Sequence, residues 1–98
     1  MIDNVNLRSF YKNKKVFVTG HTGFIGSWLT KWLTMESADV CGYALEPQIN
    51  PSMFKVLYLE KLVTNIRGDI RNVNLLRKTL SVFRPEIVLN LATQPIVL

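Results

Sequence analysis

Three closely spaced glycines constrain the fold of this chain more than any other feature of its sequence. Gly20, Gly23 and Gly26 lie in the segment KVFVTGHTGFIGSWLTKWL, between a run of β-branched and aromatic residues and an amphipathic run. Glycine loses more conformational freedom on folding than any other residue, so a cluster of this kind needs a structural reason. A strand that turns sharply into a helix supplies one, because Gly20 can adopt the unusual backbone angles of the turn.

The helix after this turn would present unpaired backbone N–H groups and the positive end of its dipole. A pyrophosphate binds at such an end provided that no Cβ atom blocks its approach. We expect Gly23 to clear that space, and Gly26 to let the helix pack close to the strand. Thr22 would offer its hydroxyl either to the phosphates or to the loop itself. The spacing G-x-x-G-x-x-G differs from the commoner G-x-G-x-x-G, yet its strand–turn–helix context favours dinucleotide binding over a loop without a ligand.

The rest of the chain alternates between predicted strands and helices. Hydrophobic patterning predicts strands at 15–19, 38–45, 64–69 and 86–92. It predicts helices at 24–35, from a Ser52 cap to about 60, and from an Asn72 cap over 73–83, with breaks at Pro47, Pro51 and Pro85. The order β-α-β-α-β-α-β is typical of an α/β fold with a parallel sheet. Residues 1–98 are therefore expected to form the N-terminal part of a Rossmann-type doubly wound sheet, half of an NAD(P)-binding domain.

Composition excludes several other classes of protein. With 48% hydrophobic and 19% charged residues, the 98-residue chain is expected to be globular. No apolar run approaches the roughly 20 residues of a membrane span, and the first 15 residues lack the apolar core of a signal peptide. We therefore expect a cytoplasmic protein without a membrane partner. The formal net charge of +5 comes from scattered basic residues, which does not favour nucleic-acid binding.

Several single residues are candidates for a role. An acidic residue at the end of the second strand would bind the adenosine ribose, but Ala44 stands there, and Glu46 is either a substitute or a solvated loop residue. The choice between NAD and NADP thus stays open. Asp69 ends the third strand at the edge where ligands bind, with a turn or cap role as the alternative. One histidine, His21, and one cysteine make no metal site.

The remaining candidates have structural interpretations. We interpret His21 as a loop residue near phosphate rather than as a general base. Cys41 is expected to be a buried thiol within a strand. Trp28 and Trp32 are four residues apart on one helix face, which predicts core packing rather than stacking on a cofactor.

With these elements in place, the chain resembles the extended short-chain dehydrogenase/reductase family. The family's glycine motif, T-G-x-x-G-x-x-G, is matched by Thr19, Gly20, Gly23 and Gly26. Within the family, the likeness is greatest to NAD-dependent dehydratases of CDP-sugars. It extends over nearly the whole chain from about Phe10, in the stretches VFVTGHTGFIGSWLTKWL, GYALEPQINPSMF, GDIRN and PEIVLNLATQP.

The resemblance implies NAD as the cofactor and assigns residues to it. The loop would hold the pyrophosphate, the GDIR segment would contact adenine through a side chain and a backbone N–H, and the end of the fourth strand would pass beside the riboses. The cofactor-binding residues implied in this way are Thr19, Gly20, Thr22, Gly23, Phe24, Ile25, Gly26, Asp69, Ile70, Leu91, Ala92 and Thr93. Gln94 would lie where the cofactor meets the substrate.

The family's catalytic Tyr-x-x-x-Lys pair does not occur in this chain, since none of Tyr11, Tyr43 and Tyr58 is followed by lysine four residues later. No catalytic residue is therefore assigned, and we expect the chain to be the N-terminal portion of a longer enzyme. The resemblance implies a CDP-sugar substrate and a homo-oligomer for that full-length enzyme. Three alternatives remain: a non-catalytic nucleotide-binding fragment, part of another sugar-nucleotide epimerase or reductase of the family, and a basic interaction module.

Overall fold

The computed structural model describes residues 10–46 and 52–92, whose strands form one parallel sheet. The strands are β1 (Lys15–Thr19), β2 (Asp39–Ala44), β3 (Thr64–Arg67) and β4 (Ile87–Asn90), in the spatial order β3-β2-β1-β4. Neighbouring strands all run parallel. The chain winds outward from β1 to β3 and then returns to the other side of β1, so a topological switch point lies between β1 and β4. The predicted α/β, Rossmann-type architecture is confirmed.

Helices connect the strands. They are α1 (Phe24–Met35), α2 (Met53–Val56) and α3 (Val73–Phe83), with a 3₁₀ turn at Leu59–Lys61. The predicted bounds of α1 and α3 are confirmed, whereas β2, β3 and β4 are shorter than predicted. Pro47 and Pro51 lie outside the described residues. Within 10–46 and 52–92, no helix combines the length and apolarity that crossing a membrane requires.

Both predicted caps are present. The Ser52 side chain accepts a hydrogen bond from the Lys55 N–H at 3.2 Å, and the Asn72 side chain accepts one from the Leu75 N–H at 3.2 Å. The helix that Ser52 begins is nevertheless shorter than predicted. Tyr58 adopts a left-handed conformation with φ 56°, and this interrupts the segment between α2 and the 3₁₀ turn.

The core lies on both faces of the sheet. On the α3 face, the buried residues are Phe17, Cys41, Tyr43, Ile70 and Leu76. On the α1 face, they are Val16, Val18, Leu33 and Val40. Cys41 is a buried, free thiol in the middle of β2, as predicted. Its burial raises the thiol pKa to about 11.

Helix α1 packs against the sheet with its small residues, which contradicts the prediction for the two tryptophans. Its buried residues are Gly26, Ser27, Thr30 and Leu33. Trp28 and Trp32 are 48% and 37% exposed, so the prediction that they form core is wrong. The reason is the close approach of the first turn of α1 to the glycine loop at Gly26, where only small side chains fit; Leu33 is the large residue that faces the sheet further along the helix. Trp32 instead packs edge-on against Tyr11, with ring centroids 5.4 Å apart.

The His21 side chain fills a space that only a glycine in β2 can provide. His21 is fully buried, and a Cβ atom on Gly42 would lie 2.3–2.6 Å from three atoms of its imidazole ring. Its Nε2 lies 2.8 Å from Asn65 Oδ1 on β3, and its ring packs edge-on against Phe54 of α2 at 5.1 Å. The imidazole therefore joins the glycine loop to β2, β3 and α2.

We expect Gly42→Ala to lower the free energy of unfolding by about 1–3 kcal/mol, because the added methyl group overpacks the site against the His21 ring. Gly23→Ser is the matched control, since a Cβ at Gly23 meets nothing closer than 3.6 Å and serine is a favoured N-cap. Urea denaturation measures both. In a His21→Ala background, Gly42→Ala should lower the free energy of unfolding by less than it does in the native chain. An equal loss in both backgrounds would mean that the methyl group does not act through the His21 ring.

Candidate functional site

The glycine loop lies against the residues that follow β4. Gly20 has φ +79°, and its N–H donates to the Tyr43 carbonyl at 3.0 Å. A Cβ atom on Gly20 would stand 2.7 Å from the Ala92 nitrogen and from the Leu91 carbonyl carbon. The Leu91 N–H donates to the Thr19 carbonyl at 2.9 Å. The structure thus brings together the predicted loop residues and the predicted residues Leu91 and Ala92 at the switch point.

The N-terminus of α1 is open to an anion. Its N-cap is Gly23, which has no side chain to satisfy the first N–H groups, and its first turn contains no acidic residue. The space beside the Gly23 Cα is clear, because the nearest heavy atom to an added Cβ would be 3.6 Å away. The side chains of Phe24 and Ile25 are 66% and 72% exposed. Backbone N–H groups and the helix dipole are therefore what this end presents to a ligand.

The two threonines of the loop use their hydroxyls within the protein. The buried Thr19 hydroxyl donates to Asn90 Oδ1 on β4. The Thr22 hydroxyl donates to the Leu45 carbonyl at 3.0 Å, so its proton goes to the backbone after β2. This contact ties the loop to the carboxyl end of β2.

Asp69 and Ile70 follow β3 at the same edge of the sheet. Both carboxylate oxygens of Asp69 accept hydrogen bonds from Arg71, with an Nη2–Oδ2 distance of 2.6 Å. These bonds lower the Asp69 pKa to about 2, so the group is an ionised acceptor with lone pairs still available. The Ile70 side chain is in the core, which leaves its backbone as the part that could meet a ligand. Thr93 and Gln94 lie outside the described residues.

Glu46 does not stand free in a loop. Its Oε1 accepts from Arg67 Nε at 2.5 Å. Arg67 Nη1 also donates to Asn65 Oδ1 at 2.7 Å, and its guanidinium lies over the Phe54 ring, 5.0 Å from the centroid. Because the Glu46 side chain is 70% exposed, this ion pair contributes at most about 1 kcal/mol to stability. Sequence reasoning missed Arg67, since its role depends on how β3 pairs with β2.

The environment of His21 holds its imidazole neutral. Burial, with a smaller contribution from Arg67, lowers its pKa from 6.5 to about 4, although the hydrogen bond with Asn65 opposes this shift. Its Nδ1 is buried and has no hydrogen-bond partner among the residues that the structure describes. His21 is thus a packing residue of the loop, and its side chain points away from solvent. The sequence signal for this packing was Gly42, because a glycine inside a predicted strand indicates that another group approaches the backbone closely. Here that group is the His21 ring.

No group of three or more His, Cys, Asp or Glu side chains within 10–46 and 52–92 could hold a metal ion. The recognisable candidate site is instead a glycine loop at the switch point of a parallel sheet, flanked by residues at the carboxyl ends of β2, β3 and β4. Together with the fold, it has the arrangement of a Rossmann-type unit.

Comparison with known proteins identifies the family. The model of the GDP-mannose 4,6 dehydratase family matches residues 17–98, and the chain belongs to this family. It is 49% identical to CDP-glucose 4,6-dehydratase of Salmonella typhimurium over 92% of its own length and 25% of that protein. It is 30% identical to dTDP-L-rhamnose 4-epimerase of Burkholderia thailandensis over 88% of its length and 24% of that protein.

A solved structure gives the same fold. The dTDP-glucose 4,6-dehydratase of Bacillus anthracis, determined in complex with NAD, superposes with a TM-score of 0.69 at 21% identity, over 83% of this chain and 27% of that chain. The present chain spans about a quarter of the length of the two curated relatives. The resemblance to sugar-nucleotide dehydratases and epimerases expected from the motifs is confirmed.

We expect the stability of the chain to fall as the pH is lowered from 6.5 to about 4. In this window the unfolded chain binds a proton at His21 that the folded chain excludes, and the loss reaches about 3 kcal/mol at most. Urea denaturation across the window measures it. His21→Gln, which cannot titrate, should flatten the profile; an identical slope in both proteins would assign the effect to other groups. Asp69 loses its stabilising charge only at lower pH, because its pKa is lowered.

Proposed function

We propose that the chain is the NAD-binding portion of a CDP-glucose 4,6-dehydratase. The observation that carries the proposal is the open N-terminus of α1, where Gly23 leaves space for a pyrophosphate beside first-turn N–H groups that no side chain caps. The 49% identity to the Salmonella enzyme supports the choice of CDP-glucose over other sugar nucleotides. The relative named as an epimerase is less similar, at 30% identity.

The residues at the carboxyl edge of the sheet fit a dinucleotide in an extended arrangement. The pyrophosphate would lie on the loop from Thr19 to Gly26. The ionised Asp69 carboxylate would accept from the adenine amino group, and the Ile70 backbone N–H would donate to the ring. Leu91, Ala92 and Thr93 would pass beside the riboses. The bound NAD would supply a hydride acceptor and donor, and the residues of this chain would bind and orient it.

In the full-length enzyme, the proposed reaction converts CDP-glucose to CDP-4-keto-6-deoxyglucose with loss of water. The proton of the sugar C4 hydroxyl would be removed by a tyrosine of a Tyr-x-x-x-Lys pair, which this chain does not contain. We further propose that this enzyme acts in the cytoplasm as a homo-oligomer on a CDP-sugar.

A chimeric enzyme tests the assignment. In it, the 98 residues of this chain replace the matching quarter of the Salmonella relative. Formation of a 4-keto product from CDP-glucose is expected, and a folded chimera that does not bind NAD would contradict it.

We expect Gly23→Val to weaken NAD binding at least tenfold, or about 1.4 kcal/mol, because the branched side chain fills the space that the pyrophosphate would take. Gly23→Ala should give a smaller loss, since its single methyl group intrudes less. Isothermal calorimetry measures affinity, and thermal melting checks that the fold is retained, as the open space around Gly23 predicts. Equal affinity in all three proteins would mean that the loop has only a structural role.

A further inference from the structure

We propose that the outer face of α1 is a surface through which two copies of this chain associate. Five large apolar side chains of this helix are between 37% and 72% exposed, and they are Phe24, Ile25, Trp28, Trp32 and Met35. At about 100° per residue, all five lie within one sector of the helix, which we call the outer stripe. The small residues that pack on the sheet lie on the opposite side. A helix that is apolar on both sides is ordinarily covered on both, so we expect the outer stripe to have a partner.

The aromatic side chains at one end of the outer stripe are already held in place. The Trp32 ring packs edge-on against Tyr11 with centroids 5.4 Å apart, and Tyr11 packs edge-on against Phe10 at 5.1 Å. Phe10 is 53% exposed, so it extends the apolar surface past Trp32. Aromatic side chains that are fixed in this way lose little conformational freedom on binding, and tryptophan and tyrosine are enriched among the residues that dominate interface energies.

The size of this surface corresponds to one side of a protein–protein interface. Large aromatic side chains cover roughly 150–250 Å² each when buried, so the exposed parts of the outer stripe and Phe10 together amount to about 700 Å². The largest apolar patch of a typical monomer is about 300–600 Å², whereas each partner in a stable interface buries about 800 Å². The surface is therefore larger than a monomer ordinarily exposes and large enough for the core of an interface between two copies.

The charge of α1 distinguishes between kinds of partner. Lys31 is the one charged residue in its sequence, FIGSWLTKWLTM. A helix that lies on a membrane surface carries a strongly charged face opposite its apolar one, but in α1 the opposite face packs on the sheet. Binding to nucleic acid requires clustered cations. The outer stripe thus fits an uncharged, apolar protein surface, and a second copy of the same stripe supplies one.

The spacing of the rings makes the outer stripe complementary to itself. Phe24, Trp28 and Trp32 form a row at intervals of four residues, with Trp28 at its centre. In the commonest class of helix packing, both helices contribute a row of this kind, and the two rows interdigitate. In an antiparallel pair with a two-fold axis at Trp28, Phe24 of one copy meets Trp32 of the other, and the reverse contact follows by symmetry. The two helix dipoles then oppose each other, which is also favourable.

The experiment measures the mass of the 98-residue chain by sedimentation as its concentration is raised, together with tryptophan fluorescence in the same samples. We expect the mass to rise from 11.2 kDa toward twice that value. Trp28 and Trp32 are the two tryptophans of the chain, and both belong to the outer stripe. Association should therefore shift their emission to shorter wavelength and protect it from quenching by iodide, over the same range of concentration.

Four single lysine substitutions test where the two copies meet. Trp28→Lys and Met35→Lys place a charge in the outer stripe, and each should raise the dissociation constant of the dimer at least about tenfold. Lysine in the last turn of α1 favours the helix dipole, so Met35→Lys should keep the fold, which circular dichroism checks. Val82→Lys on α3 and Val88→Lys on the edge strand β4 add the same charge at other exposed apolar positions, and they should leave the dissociation constant unchanged.

Several results would overturn the inference. A native chain that stays monomeric at every concentration would do so; if its emission shifts only when vesicles of phosphatidylcholine and phosphatidylserine are added, the outer stripe binds lipid instead. A dimer that neither Trp28→Lys nor Met35→Lys weakens would place the contact elsewhere, and dissociation by Val88→Lys would then assign it to β4. An equal loss in Val82→Lys would mean that the added charge itself, rather than its position, separates the copies.

Discussion

The contact between α1 and the Gly20 carbonyl is the constraint on which the remaining structure depends. A Cβ atom on Gly26 would lie only 2.1 Å from that oxygen, so the helix can begin here only with a glycine at this position. The same turn needs the positive φ of Gly20, where a side chain would strike the backbone after β4. Two glycines thus bring β1, α1 and the end of β4 into contact, and the third, Gly23, is left facing open space. The two constrained glycines build the loop, and the unconstrained one leaves room for a ligand.

Much of the fold could be predicted because its signals are local. The β-branched run of β1, the polar caps Ser52 and Asn72, and the stop at Pro85 each act within a few residues. The bounds of β1, α1 and α3 therefore agree with prediction. The alternation of strands and helices then implies a parallel sheet, and the glycine spacing predicts an anion-binding loop at its edge.

The orientation of α1 could not be predicted in this way. Its apolar residues recur with a helical period, which ordinarily marks the face that packs on the core. In this helix, the approach to Gly20 requires small residues on the inner side, so Gly26, Ser27 and Thr30 face the sheet, while Trp28 remains largely outside. The side-chain contacts around the site could not be predicted from the sequence either. His21, Asn65, Arg67 and Glu46 meet only because β2 and β3 pair in one particular register, and no local pattern specifies that register.

Cys41 is positioned so that its reaction with a thiol reagent measures how often the sheet opens. It is the single cysteine of the chain, it is buried in β2, and its thiol pKa is raised to about 11, so the folded state offers a thiol-alkylating reagent almost no thiolate. Modification then proceeds through molecules in which β2 has separated from its neighbours. The rate of alkylation at neutral pH therefore measures how often the sheet opens locally or globally. Because the reactive atom lies on the α3 face, opposite His21 and α1, this rate reports on openings that expose the α3 side of the core.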